Sequence, residues 1–229
     1  MKTFRRLLPV VFLMLFAVVA NAQKVGAPAP TIEIKDIFNK TINLGQLRDW
    51  VVVISFGNVD NKDVSIGWLK QIKLAIPERE NALFIAVADV RKFRLMKLFA
   101  KGVIKQGYED EVKSVEKTMK EKNITIKSNV RDILLLTTDW SGSLFDTFGF
   151  YDSPDKPHLI IIDGEGIIRG NYTEADSPES MITMTQTLFS EMDARKAQAE
   201  ALKFGKAKKN MLRKMLLPAS VLLIYLAVR

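Results

Sequence analysis

The chain has 229 residues, of which 34 are Lys or Arg, 26 are Asp or Glu and none is Cys. Disulfide exchange requires a thiolate, so the absence of cysteine excludes thiol redox chemistry. The formal charge of +8 is concentrated at the C-terminus: residues 195–229 hold nine basic and one acidic side chain, whereas residues 23–194 hold 22 basic and 25 acidic. A nucleic-acid-binding domain needs a basic folded face, and the acidic balance of the central region argues against one.

Residues 1–22 have the features of an export signal. A basic start is followed by an apolar run over residues 7–20 and by the small-x-small cleavage site Ala20-Asn21-Ala22. We expect cleavage after Ala22 and a periplasmic mature chain that begins at Gln23. An uncleaved membrane anchor is the alternative, although the apolar run is short for a membrane span.

The first part of the mature chain predicts strands and a crossover helix. Residues 31–34 and 41–44 alternate around a turn at Asn39-Lys40, which predicts a hairpin. Residues 50–56 and 83–88 are β-branched and aromatic runs typical of strands buried on both faces. The helix predicted between them, with Asp60 or Asn61 as cap and Pro77 after its end, makes the two strands parallel.

Residues 91–122 are helical in character, and Gly102 and Gly107 predict a break near residues 106–107. Each resulting helix has an apolar stripe that we expect to contact the core. The first stripe consists of Phe93, Met96, Leu98, Phe99, Val103 and Ile104, and the second of Val112, Val115 and Met119.

The remaining segments are an apolar run at residues 133–136, a polar turn at residues 139–143, a short amphipathic segment through Phe148, and a hairpin over residues 159–168. A final helix is predicted to start near Ser177-Pro178 and to continue into the basic tail.

Three segments in chain order resemble the thioredoxin-like redoxins of the TlpA/ResA and AhpC/TSA peroxiredoxin types. They are residues 25–47, 50–69 and 139–169, and the most specific matches are Gly142, Phe148-Gly149, Pro157, Ile162-Asp163, Gly166 and Ile167. The resemblance implies an α/β, thioredoxin-like domain over residues 23–190, with a central mixed β-sheet flanked by helices and an N-terminal β-hairpin extension.

The same resemblance locates a site, but this site lacks the cysteines that the family uses for catalysis. The two cysteine positions of the family fall on Val59 and Lys62, a register shift selects residues 60–64 instead, and no register supplies a thiol. The resemblance also implies a cis Pro157 facing a groove that binds substrate backbone. The candidate groove residues are Asn58, Val59, Asp60, Asn61, Lys62, Asp63, Lys156, Pro157 and His158.

His158 is the only histidine, and we interpret it as an ordinary groove or surface residue. One His without a Cys makes neither a metal site nor a nucleophile-base pair. We therefore expect no metal, no cofactor and no catalytic residue.

The tail, residues 191–229, combines a basic cluster with an apolar run over residues 215–228. As a helix this run is ~21 Å long against a hydrocarbon core of ~30 Å, so an interfacial membrane anchor is favoured over a span. The cations that would contact anionic lipid are Lys206, Lys208, Lys209, Arg213 and Lys214. A short span with snorkelling cations, or a helix packed on the domain or on a partner, are the alternatives.

The hypothesis from the sequence is an exported, redox-inactive module that binds a protein partner through the groove and attaches to the outer face of the inner membrane. The first alternative is a peroxidase-like or reductase-like enzyme, or a subunit of a redox complex, that works without its own cysteines. The second is a structural subunit in which the groove has no function.

Overall fold

A computed structural model describes residues 24–125 and 129–227, and the predicted signal segment 1–22 lies outside them. A small sheet comes first in the chain, in which β1 (Glu33–Lys35) pairs antiparallel with β2 (Thr41–Asn43), confirming the predicted hairpin. The main sheet is formed by β3 (Val51–Asn58), β4 (Ala82–Asp89), β5 (Leu134–Asp139), β6 (His158–Ile162) and β7 (Ile168–Thr173).

The order of the main sheet is β5-β4-β3-β6-β7, with β3 at its centre. All eight residues of β3 are buried, as its continuous β-branched and aromatic sequence predicts. β3 pairs parallel with β4 on one side and antiparallel with β6 on the other. The sheet is therefore mixed, because a parallel crossover unit is followed by an antiparallel hairpin.

Helices flank this sheet. They are α1 (Lys62–Ala75), α2 (Lys97–Glu121), α3 (Val130–Ile133) and α4 (Ser143–Thr147), and a 3₁₀ turn over Arg91–Met96 leads into α2. A fifth helix, α5 (Pro178–Ala227), ends the described chain. α1 is the crossover between β3 and β4 and ends two residues before Pro77. The predicted α/β class, with a mixed sheet, flanking helices and an N-terminal hairpin, is confirmed.

α2 corrects the prediction of a break. The helix is continuous through Gly102 and Gly107. A glycine inside a helix costs only about 1 kcal/mol relative to alanine, which the surrounding turns of a 25-residue helix tolerate.

The two apolar stripes of α2 have different environments. Val112, Val115 and Met119 are buried in a cluster with Tyr108 and Val130, as predicted. The prediction was wrong for four residues of the first stripe, which are exposed: Met96, Leu98, Phe99 and Val103. Periodicity defines an apolar face of a helix but does not specify what covers it. The buried residues of α2 begin only at Tyr108.

An aromatic cluster fixes the segment between β5 and β6. The ring of Phe56, on β3, lies 5.0–5.3 Å from the ring centroids of Phe145, Phe148 and Phe150. The carboxylate of Asp139 starts α4, accepting hydrogen bonds from the backbone N–H groups of residues 142, 144 and 145. These contacts determine where the chain enters β6.

The contact pattern divides the chain into one unit that ends at Leu188 and a second that begins at Phe189. In the part of the chain that the structure describes, no helix is long and apolar enough to cross a membrane. Lys206 and Lys208 are exposed. The side chains of Lys209, Arg213, Lys214 and residues 215–228 lie outside the described residues, so the mode of tail attachment and the domain bounds stay predictions.

Candidate functional site

The chain leaves β3 through a turn built on two asparagines. The backbone N–H of Asn58 donates to Oδ1 of Asn61 over 2.8 Å. In return, Oδ1 of Asn58 accepts from the backbone N–H groups of Asp60 (2.8 Å) and Asn61 (3.2 Å). Asparagine side chains stabilise turns in this way, by bonding to nearby backbone. The positions that the resemblance assigned to thiols thus lie in and next to an asparagine turn.

The helix cap was predicted at Asp60 or Asn61, and the structure places Asn61 there but without the capping bond. Oδ1 of Asn61 bonds back to Asn58 instead, and its Nδ2 donates to the backbone oxygen of Asp155 over 2.9 Å. Asn61 therefore joins the turn to the segment that precedes β6.

Two charged residues that the sequence analysis did not single out, Lys92 and Asp155, also join the asparagine turn to the segment before β6. Nζ of Lys92 lies 3.1 Å from Oδ2 of Asp60 and 3.9 Å from Oδ1 of Asp155. Nδ2 of Asn58 also donates to Oδ1 of Asp155 over 3.5 Å. The hydrogen bond to Asp60 raises the pKa of Lys92. Lys92 comes from the 3₁₀ turn before α2, and no sequence signal predicted that this turn reaches the site.

Gly57 is required by the close approach of α1 to β3. A Cβ at Gly57 would lie 2.5 Å from Oγ of Ser65 and 2.7 Å from Oδ1 of Asn61. Ser55, also on β3, donates from its Oγ to the backbone oxygen of Ser65 over 2.8 Å. Any side chain at position 57 would therefore displace the start of α1 and the asparagine turn with it.

The cis conformation expected for Pro157 is wrong. Within residues 24–125 and 129–227 no peptide bond is cis. A turn in which Lys156 N–H donates to the oxygen of Ser153 brings the chain to β6. The trans form of an X–Pro bond is intrinsically preferred, and this turn needs no other. Pro157 is also buried, so it does not line an open groove.

His158 is buried rather than a surface residue, which corrects its interpretation. Its ring stacks on Phe150 with centroids 4.0 Å apart, and its Nε2 lies 3.0 Å from Oγ and 3.1 Å from the backbone oxygen of Ser153. A carbonyl only accepts, so Nε2 carries the proton. Burial, reinforced by the nearby charge of Lys156, lowers the pKa of His158. The imidazole is therefore a neutral structural group at neutral pH.

The nine predicted groove residues thus separate by exposure. Asn58, Pro157 and His158 are buried and Asn61 is half-buried. The exposed members are Val59, Asp60, Lys62, Asp63 and Lys156. We call the segments 58–63 and 151–158 the loop pair, because Asn58 and Asn61 both bond to Asp155.

The loop pair has no nucleophile of the thiol type and no metal centre. Among the described residues no group of three or more His, Cys, Asp or Glu could hold a metal ion. Its exposed groups are carboxylates, ammonium groups, Val59 and the ring of Tyr151, which suit binding through hydrogen bonds, charge and apolar contact.

No protein-family model and no curated protein matches the chain. Solved structures do resemble it. A putative thioredoxin from Neisseria meningitidis is 20% identical, with 72% of this chain and 91% of that one covered and a TM-score of 0.45. A secreted Mycobacterium tuberculosis disulfide oxidoreductase homologous to E. coli DsbE is 12% identical, with coverages of 69% and 96% and a TM-score of 0.42.

A third similar structure is the pneumococcal exposed lipoprotein thioredoxin of Streptococcus pneumoniae. It is 15% identical, with 68% of this chain and 98% of that one covered and a TM-score of 0.42. The central mixed sheet, the flanking helices and the N-terminal hairpin agree with the fold that the sequence resemblance implied. The chain therefore has a thioredoxin-like fold without the cysteines on which thiol–disulfide exchange depends.

Proposed function

We propose that this chain is an exported, redox-inactive module that binds a protein partner through the exposed residues of the loop pair. The observation that carries the proposal is the bonding of Asn58 and Asn61 to Asp155. These amides hold two loops together where the related fold would carry out chemistry. A surface that is ordered before binding loses less conformational entropy on association, which favours a binding role.

The exposed groups of the loop pair have the composition of a small protein-binding surface. Val59, 47% exposed, is an apolar side chain at the tip of the asparagine turn. Asp60, Lys62 and Asp63 follow it, and Lys156 lies on the second loop. An apolar centre with a polar rim is the usual arrangement of a protein interface.

The absence of cysteine makes a site-directed crosslinking test direct. Val59→Cys and Lys156→Cys variants, each labelled with a benzophenone maleimide, are incubated with membranes of the producing organism and illuminated. Both positions are expected to give the same discrete adduct. Lys120→Cys, at an exposed position near the end of α2, is the matched control and is expected to give none.

Two results would contradict the proposal. One is an adduct of equal yield from Lys120→Cys. The other is an unchanged yield at Val59→Cys when Asp60→Ala and Lys156→Ala are combined with it, because these changes remove charges from the proposed interface. Disulfide reduction or peroxide consumption by the purified chain without added thiol protein would favour the enzyme alternative.

Export and membrane attachment through the tail complete the proposal. Deleting residues 215–229 is expected to lower the membrane-bound fraction strongly, because it removes the apolar run. Replacing the tail cations by Gln separates the two modes of attachment, since an interfacial anchor depends on charge and on salt whereas a span resists both. The cations are Lys206, Lys208, Lys209, Arg213 and Lys214.

A further inference from the structure

The first half of α2 exposes large apolar side chains that no other described residue covers. Leu98 is 86% exposed, Phe99 84% and Val103 73%. Leu95 and Met96, in the turn that leads into the helix, are 101% and 55% exposed. Within α2, Phe99 and Val103 are four residues apart and follow one face. We call these five residues the α2 apolar face.

A row of cations runs beside this face. Lys97, Lys101 and Lys105 also recur at intervals of four residues, and Arg94 extends the row by three. Residues 91–108 contain six Lys or Arg and no Asp or Glu. Among the described residues, these four cations have no carboxylate partner. Lys97 lies 5.2 Å above the ring of Trp140.

A separate row of residues on α2 faces the interior of the protein. Ala100 and Ile104 are half-buried and Tyr108 is buried, and these positions are again four residues apart. The inward row accounts for the attachment of α2 to the fold. The inward row does not account for the apolar face, and isolated apolar residues at a surface need no explanation whereas a contiguous face does. Of the cations, Lys97 and Lys105 also contact the fold, since Lys105 lies 5.3 Å above the ring of Phe38.

We propose that the α2 apolar face is a docking surface for an anionic phospholipid membrane. Helices with an apolar face of Leu and Phe beside Lys and Arg lie in the membrane interface, with the apolar side chains below the headgroups and the cations among the phosphates. The charge argues for lipid, because residues 91–108 carry no acidic side chain. Arg91 and Lys92 pair with carboxylates outside the segment, and the four remaining cations complement a surface of phosphates. This surface is distinct from the partner-binding residues of the loop pair and from the tail.

The test uses the full chain with a single cysteine and an environment-sensitive NBD label. The probe is placed at Phe99→Cys or Val103→Cys, and at Lys120→Cys as the control on the second half of the same helix. Vesicles of phosphatidylglycerol and phosphatidylcholine, or of phosphatidylcholine alone, are added. A probe at one position reports lipid contact there even when the tail also holds the protein.

The expected result is a blue shift at residues 99 and 103 with the anionic vesicles, with quenching by nitroxide-labelled lipid, and no shift at residue 120. In phosphatidylcholine alone the shift should be absent. Combining Arg94→Gln and Lys101→Gln should lower the response at residue 99 by about two-fold or more, because each cation near an anionic surface contributes to binding. Exposed substitutions of this kind leave folding intact.

Four results would overturn the proposal. The first is an unshifted probe at residue 99, whether the protein sediments with the vesicles or fails to bind them, which would assign the face to a protein. The second is an equal shift at residue 120, which would mean adsorption without orientation. The third is an equal shift in phosphatidylcholine alone, which would remove the role of charge. The fourth is a shift that grows with protein concentration without vesicles, which would assign the face to a second copy of the chain. None of these bears on crosslinking at Val59.

Discussion

The two halves of α2 share one continuous helix but have different relations to the fold. The second half buries Val112, Val115 and Met119 and is tied to its surroundings by polar contacts. Residues 109–121 carry five acidic and three basic side chains. The first half presents its apolar residues to solvent, and residues 91–108 carry six basic side chains and no acidic one.

The polar contacts follow the same division. Arg131 forms a two-bond pair with the carboxylate of Glu109, and Nζ of Lys70 lies 2.8 Å from Oγ of Ser114 and 3.6 Å from Glu111. These contacts hold the second half to α3 and to α1. A helix can therefore be stabilised along part of its length while the rest of it serves another purpose, because helix formation is cooperative along the chain.

The largest change in stability is expected when valine is replaced by aspartate in the buried half of α2, and the same substitution in the exposed half is the comparison. Val112→Asp would place a carboxylate at a fully buried position, which should reduce the free energy of unfolding by about 3–5 kcal/mol. Val103→Asp, at an exposed position, should change it by less than about 0.5 kcal/mol. Urea denaturation of both variants measures the difference. Equal losses would mean that the first half is packed as closely as the second.

Substituting one buried and one exposed lysine compares the cost of burying a cation with that of exposing one. Burial lowers the pKa of Lys73, on α1, to about 8. At pH 7 the ammonium of Lys73 is charged in both the folded and the unfolded state. The cost of removing this charge from water therefore opposes folding. Lys73→Met should therefore raise the unfolding free energy by about 1–2 kcal/mol at pH 7, after allowance for solvent screening. Lys101→Met, on the exposed half of α2, should change it little.

The pH dependence of the Lys73 effect has a defined sign. Between about pH 8 and its unfolded pKa of about 10.4, the folded state releases the proton first. The unfolded state then binds more protons, so the stability of the wild type rises with pH across this window. The advantage of Lys73→Met should shrink as the pH increases from 8 to 10. An advantage that stays constant would indicate that burial does not disfavour the charge of Lys73.

Tyr108 marks the boundary between the two halves. It is the first buried residue of α2, and its hydroxyl donates to the backbone oxygen of Leu134 over 2.8 Å. Tyr108→Phe should lower stability at pH 7 by about 1 kcal/mol. Burial raises the pKa of Tyr108 to about 12, so the unfolded state ionises first above pH 10 and the wild type loses stability there. The difference between Tyr108→Phe and wild type should therefore narrow in alkali, as unfolding at pH 7 and pH 11 would test.

The sequence predicts the sheet better than it predicts the site. The strand β3 and its neighbour β4 are visible because a run of β-branched residues has few alternatives to a doubly buried strand. The contacts of Lys92 with Asp60 and Asp155 join residues far apart in the chain, and no local pattern encodes such a meeting. The trans bond before Pro157 was not predicted because the expectation of a cis bond came from the family resemblance and not from the local sequence.

The smallest predicted effect concerns the glycines of the exposed half. A Cβ at Gly102 or Gly107 would meet no atom within 4 Å, and neither residue has a positive φ. Alanine at each position should therefore raise the unfolding free energy by about 0.5–1 kcal/mol, since it reduces the conformational freedom of the unfolded chain and favours the helix.

The control for this prediction is Gly57→Ala, where a Cβ would lie 2.5 Å from Oγ of Ser65. Gly57→Ala should lower the free energy of unfolding, whereas alanine at position 102 or 107 should raise it. Thermal unfolding of Gly102→Ala, Gly107→Ala and Gly57→Ala measures all three effects. If alanine destabilises at positions 102 and 107, the first half of α2 is not a regular helix in solution. A regular helix places residues 99 and 103 on one face, so that outcome would also disperse the α2 apolar face.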